Sequence, residues 1–133
     1  TMPTDALTRL RDTMLETEAY VFERIRDEQM QLGSKVRALL SSYGFASVAA
    51  EGFQAPGVVV SFTTDPGLQS SKKFLDAGLQ TAAGVPLQCD EGPDFMTFRL
   101  GLFGLDKWHD SDAAVATLER ALEAVAPKAV ATT

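Results

Sequence analysis

The chain has 133 residues, 45 % of them hydrophobic and 23 % charged, enough for one domain with a real core but not for two large ones. A net charge of −6 argues against nucleic acid as the main partner, because phosphate binding requires a basic face. No apolar run reaches membrane-spanning length, no signal peptide opens the chain, and the single Cys89 cannot form an internal disulfide, so a reducing, cytoplasmic setting is expected.

The first residues are Thr1-Met2-Pro3 rather than an initiator methionine, so the chain reads as a processed or truncated piece of a longer protein. Pro3, Thr4 and Asp5 mark a helix start, and Leu7, Leu10 and Met14 follow at spacings of three and four. Val21, Ile25, Leu32, Val36, Leu39 and Leu40 continue the stripe to a stop at Tyr43-Gly44. That span is too long for an ordinary helix, which predicts two helices or one bent helix, with the break at Glu16-Thr17-Glu18. Two helices in series suit a connector followed by a helix packed on a sheet.

Residues 45–50 read as an edge strand and 51–57 as a loop, and 58–64 is the strongest strand signal. Pro66-Gly67 suits the central pair of a type II turn, and residues 69–77 form a short helix with Phe74 and Leu75 inward and Gly78 as its stop. Residues 79–85 read as another strand, leading into a Gly/Pro loop that ends at Asp94. After the strand beginning at Thr97, Asp110 or Ser111 caps a last helix with Val115, Leu118, Leu122 and Val125 on one face, ended by Pro127. The elements predict an α+β fold, a small, mainly antiparallel sheet with helices on one face, preceded by a long or two-part helix. The expected division is connecting helices over 1–43, an α+β domain over 44–127 and a loose tail over 128–133.

The most informative stretch runs from Thr97 to Gly104, "TFRLGLFG". Period two puts Phe98, Leu100 and Leu102 on a core face and Thr97, Arg99, Gly101 and Phe103 on the other. A strand selected only for stability would carry Thr or Val at position 99. Arg99 reads either as a cation paired with a nearby acid or exposed to solvent, or as a fork for bidentate binding of a carboxylate or phosphate. The small residues Thr97 and Gly101 on either side are expected to leave room for such an anion.

Other candidates are weaker. Ser70 and Lys73 have the S-x-x-K spacing of some acyl-transfer enzymes, but the accompanying S-D-N and K-T-G triplets are absent, so Lys72 and Lys73 read as an exposed lysine pair. His109 is the only histidine and has no partner with metal-ligand spacing. Asp90, Glu91 and Asp94 lack the alternation of a calcium loop and read as a solvated turn, and Cys89 as a small buried residue. No glycine-rich phosphate cradle and no base–nucleophile pair is visible, so the chain alone does not read as a complete active site.

The arginine strand, its loop and the amphipathic helix after it resemble the C-terminal stretch of class V aminotransferases, fold type I pyridoxal-phosphate enzymes of the alanine–glyoxylate and serine–pyruvate kind. In that family an R-[IL]-G-L-x-G strand carries the arginine that grips the substrate α-carboxylate, and Arg99 stands in that position. The opening "TMPTDALTRLRDTMLE" resembles the region after the family's Y-H-T-x-P motif, and "GLQTAAGVP" resembles a small-domain strand with its glycine turn.

The resemblance implies a transaminase small domain, with Arg99 binding substrate carboxylate and Thr1 reaching the cofactor phosphate of the neighbouring subunit. It also implies pyridoxal 5'-phosphate in a homodimeric parent, with an amino acid and a 2-oxo acid such as glyoxylate or pyruvate as substrates. The family's large domain, with its cofactor lysine and the aspartate that holds the pyridine nitrogen, has no counterpart in the chain, so the chain alone is expected to be inactive. The Asp106–His109 segment departs from the family pattern and receives no role. Two alternatives stand beside this reading: a stand-alone α+β module that binds small anions through Arg99, and a dimerisation domain in which Arg99 pairs with an internal acid.

Overall fold

A computed structural model describes residues 2–126 of the chain. Two helices come first, α1 (Thr4–Ala19) and α2 (Phe22–Ser42). The break falls at Tyr20-Val21, later than expected, where Val21 sits at φ 74°, an uncommon conformation for a β-branched residue. It is held by side chains that the apolar stripe does not reveal. The Tyr20 hydroxyl donates to Glu28 Oε2 at 2.8 Å, Arg24 Nε donates to Glu28 Oε1 at 2.8 Å, and the Arg24 guanidinium lies 4.2 Å from the Tyr20 ring centre. Helix α1 buries no side chain, whereas α2 buries Leu32, Val36 and Leu40.

Helix α2 ends as expected at Gly44, whose φ of 85° lets Phe45 N–H reach back to Leu40 O. Residues 45–50 make only an isolated bridge, Ser47 to Ser61, with Val48 N–H donating to Val60 O, so the predicted edge strand is reduced to a short accompaniment. Strand β1 (Val58–Phe62) follows. The predicted type II turn is instead the start of a helix. Asp65 accepts a hydrogen bond from Gly67 N–H, Pro66 fills the first position, and Gly67 has no positive φ, giving α3 (Pro66–Gln69). Ser71 at φ 65° then separates α3 from α4 (Lys72–Asp76). Phe74 is fully buried as expected, but Leu75 points to solvent because the interruption rotates the helical face.

The sheet is completed by β2 (Ala82–Ala83) and β3 (Thr97–Gly101) in the order β1-β3-β2, with both pairings antiparallel. Helix α5 (Leu105–His109) has no counterpart in the sequence reading, and α6 (Ser111–Val125) closes the chain, capped by Asp110 accepting from Ala113 N–H at 2.9 Å. Pro127, the expected end of that helix, lies outside the described residues, as does the 128–133 tail. Leu118 and Leu122 of α6 join Leu32, Val36 and Leu40 of α2 over Phe98 and Leu100 of β3. The fold is thus a small α+β arrangement of several helices with a three-stranded antiparallel sheet. Among the described residues no helix is long and apolar enough to cross a membrane.

The Asp106–His109 segment acts as a brace. Trp108 Nε1 donates to Gln29 Oε1 at 2.7 Å, and Gln29 Nε2 donates to Pro56 O at 2.9 Å, so a single amide ties α5, α2 and the loop before β1 together. Gln29 is only 8 % exposed. Gln29→Leu, which keeps the bulk but strands the indole N–H and the carbonyl, should cost about 2 kcal/mol in a urea titration.

Three carboxylates are held below their usual range. Lys73 hydrogen-bonds Asp65, with help from Gly67 N–H, and the Glu91 carboxylate gathers loop backbone N–H groups, its own and those of Cys89 and Gln88. For Glu28, partial burial pushes upward, but the bonds from Tyr20 and Arg24 win. A carboxylate lowered in the folded state stabilises above its unfolded value and loses that contribution as pH falls through the folded one. The thermal midpoint should therefore be level near neutrality and fall once pH drops below about 4, which a series of melts from pH 7 to 2 checks.

Candidate carboxylate-binding site

Because β3 is the central strand, Arg99 is flanked on both sides by backbone, opposite Val60 on β1 and Ala82 on β2. Phe98 and Leu100 are buried in the core, so Arg99 leaves the sheet on the opposite face. Its side chain is oriented by one contact, Nε donating to Ala83 O at 2.8 Å. That bond uses the inner donor of the guanidinium and leaves the two terminal nitrogens without a partner among the described residues. No described acid forms an ion pair with Arg99; the acids paired to cations are Asp12, Asp27, Glu28, Asp65, Asp106 and Asp112, each with another residue. The internal ion pair considered for Arg99 is therefore not formed among these residues. What remains is a planar pair of terminal amino groups held by a fixed Nε, the donor geometry that matches the two oxygens of a carboxylate.

Only one of the two small neighbours leaves room. Thr97 is buried, and Gly84 lies directly over it; a Cβ on Gly84 would fall 1.7 Å from Thr97 O. The space on that side, expected to be open, is filled by the returning chain. At Gly101 a Cβ would meet nothing within 4 Å, so the opening beside Arg99 lies toward the end of the strand. The surrounding sheet face carries Val58, Val60 and Phe62 and is apolar, which strengthens a charge-assisted hydrogen bond formed on it.

The other candidates do not assemble into a site. Lys73 is engaged with Asp65, and Ser70 Oγ donates to Gly67 O at 3.4 Å rather than meeting Lys73. Cys89, expected to be buried, is exposed, because Glu91 organises its loop at the surface through bonds from the Leu87, Gln88 and Cys89 N–H groups. His109 packs its ring 4.6 Å from that of Tyr20. Thr1 lies outside the described residues. Ala83 contributes only a carbonyl and so leaves no mark in the sequence, whereas Gly84 does, as a glycine among strand-forming neighbours.

Of the two lysines on α4, Lys73 is held in an ion pair and Lys72 projects to solvent. The chain matches no protein-family model, and no curated protein matches it in sequence.

Proposed function

We propose that this chain is the substrate-gripping small domain of a cytoplasmic, homodimeric class V aminotransferase. The remainder of that enzyme would supply pyridoxal phosphate, which provides the electron sink for amino transfer between an amino acid and a 2-oxo acid such as glyoxylate or pyruvate. The observation that carries this reading is the Arg99 side chain, fixed through Nε on the central strand with its terminal amino groups free on an open apolar face. The motif around it, Arg99-Leu100-Gly101-Leu102-Phe103-Gly104, is the one whose resemblance suggested the family.

The part played by this chain is binding and orientation. Two parallel N–H···O bonds from Arg99 fix both the position and the plane of a carboxylate, and therefore the direction of the Cα–H bond next to it. Gly101 leaves space for the rest of the substrate. Thr1 would reach the cofactor phosphate across the parent's dimer interface.

A second reading, a stand-alone module that binds small carboxylates without catalysis, is favoured by one observation: the terminal nitrogens of Arg99 have no partner among the described residues, so this chain by itself presents the donors such a ligand needs. The visible spectrum of the protein expressed from its gene's own start codon separates the two. A bound-cofactor absorbance that fades with alanine and returns with glyoxylate supports the aminotransferase. A colourless protein with the mass of these 133 residues overturns it and leaves the binding module.

A further inference from the structure

Helix α1 is the one long element with no buried residue, yet it carries Leu7, Leu10 and Met14 at helical spacing, 46 %, 56 % and 61 % exposed. With Phe22 just past the corner they line an open groove of about 560 Å³. Water-exposed apolar stripes of this kind call for a partner. The charges bordering the groove indicate which one. Arg11 and Glu18 both line it, and a separation of seven residues places them on the same edge of the helix. The Glu18 carboxylate has no ion-pair partner among the described residues, and Arg11 is held only by its neighbour Asp12, 2.6 Å away, in a pair whose members are 67 % and 58 % exposed. An exposed pair of that kind exchanges at little cost.

From this we infer that α1 is a self-association surface whose occupant is the α1 helix of a second copy of this chain, docked antiparallel about a two-fold axis between Met14 and Leu15. The charge pattern decides the direction. Antiparallel pairing brings Arg11 of each copy against Glu18 of the other, two reciprocal ion pairs from one symmetric contact. Parallel pairing would turn this edge of one helix away from the same edge of the other, and Arg11 and Glu18 would form no reciprocal pair. Met14 meets its counterpart at the two-fold axis, and Leu10 packs further out, against the last turn of the partner's α1. The contact is short, so the dimer is weak, in the micromolar range or above. This inference does not depend on the role proposed for Arg99.

Sedimentation equilibrium of the 133-residue chain over a range of concentrations tests it. The expected result is a reversible monomer–dimer equilibrium that Met14→Glu abolishes, with circular dichroism confirming that the variant remains folded. Arg11→Glu and Glu18→Arg alone should each weaken the dimer about tenfold or more, and the double variant should restore it, because the swapped charges again face each other. A chain that stays monomeric overturns the inference and assigns the stripe to another part of a longer protein. A dimer insensitive to Met14→Glu, or one whose charge reversals do not compensate, overturns it as well.

Discussion

Arg99→Ala is expected to abolish carboxylate binding at this face while leaving the fold intact. The two effects separate because the arginine makes little structural contact. Its Nε bond to Ala83 O lies at the surface, and losing it should cost about 1 kcal/mol or less. A bidentate charge-assisted contact is worth more. Two such bonds contribute about 3 kcal/mol, a hundredfold or more in carboxylate affinity, or in kcat/KM for the parent enzyme if the transaminase reading holds. Arg99→Lys keeps the charge but loses the fork, so it should recover only part of the loss. Titration of the chain with propionate, followed by the Arg99 Nε–H resonance, reads the binding directly. Near-normal transamination by an Arg99→Ala parent would sink the clamp role.

Gly84→Ala should be the most damaging small substitution in the sheet. The added methyl would fall 1.7 Å from Thr97 O, a backbone atom that no side-chain rotation can move. Either β2 withdraws from β3 or the central strand bends, and we expect a loss of about 3 kcal/mol or more in a denaturant titration. Ala83 would move too, carrying away the carbonyl that orients Arg99. The control is Gly101→Ala, where nothing lies within 4 Å of the new carbon. Its stability should change little, while carboxylate binding falls because the methyl occupies the opening beside Arg99. If Gly84→Ala proved neutral, the close approach of β2 to Thr97 would be wrong, and with it the account of why only one side of Arg99 is open.

The outline of the fold was legible in the order of apolar residues. The two-part N-terminal helix, the strand at Val58, the arginine strand and the last helix with its Asp110 cap all follow from periodicity and local capping chemistry. Local signals misled where two conformations compete within a few residues. Pro66-Gly67 satisfies both a turn and a helix start, and the Asp65 side chain decided for the helix. Ser71 at φ 65° broke a helix that the pattern carried through, and so turned Leu75 outward.

By itself the sequence determined which residues could form the core and that Arg99 would leave its strand on the face opposite Phe98, because a period of two is a property of the backbone. Only the tertiary structure decided that this strand is central, that Gly84 closes one side of the arginine, and that no described acid neutralises it. Those outcomes depend on which segments return to meet β3, and such long-range pairings are set by packing between residues far apart in the chain. For the same reason the Trp108–Gln29–Pro56 brace could not be read in advance: its three members lie on separate elements, and each looks ordinary until the fold brings them together.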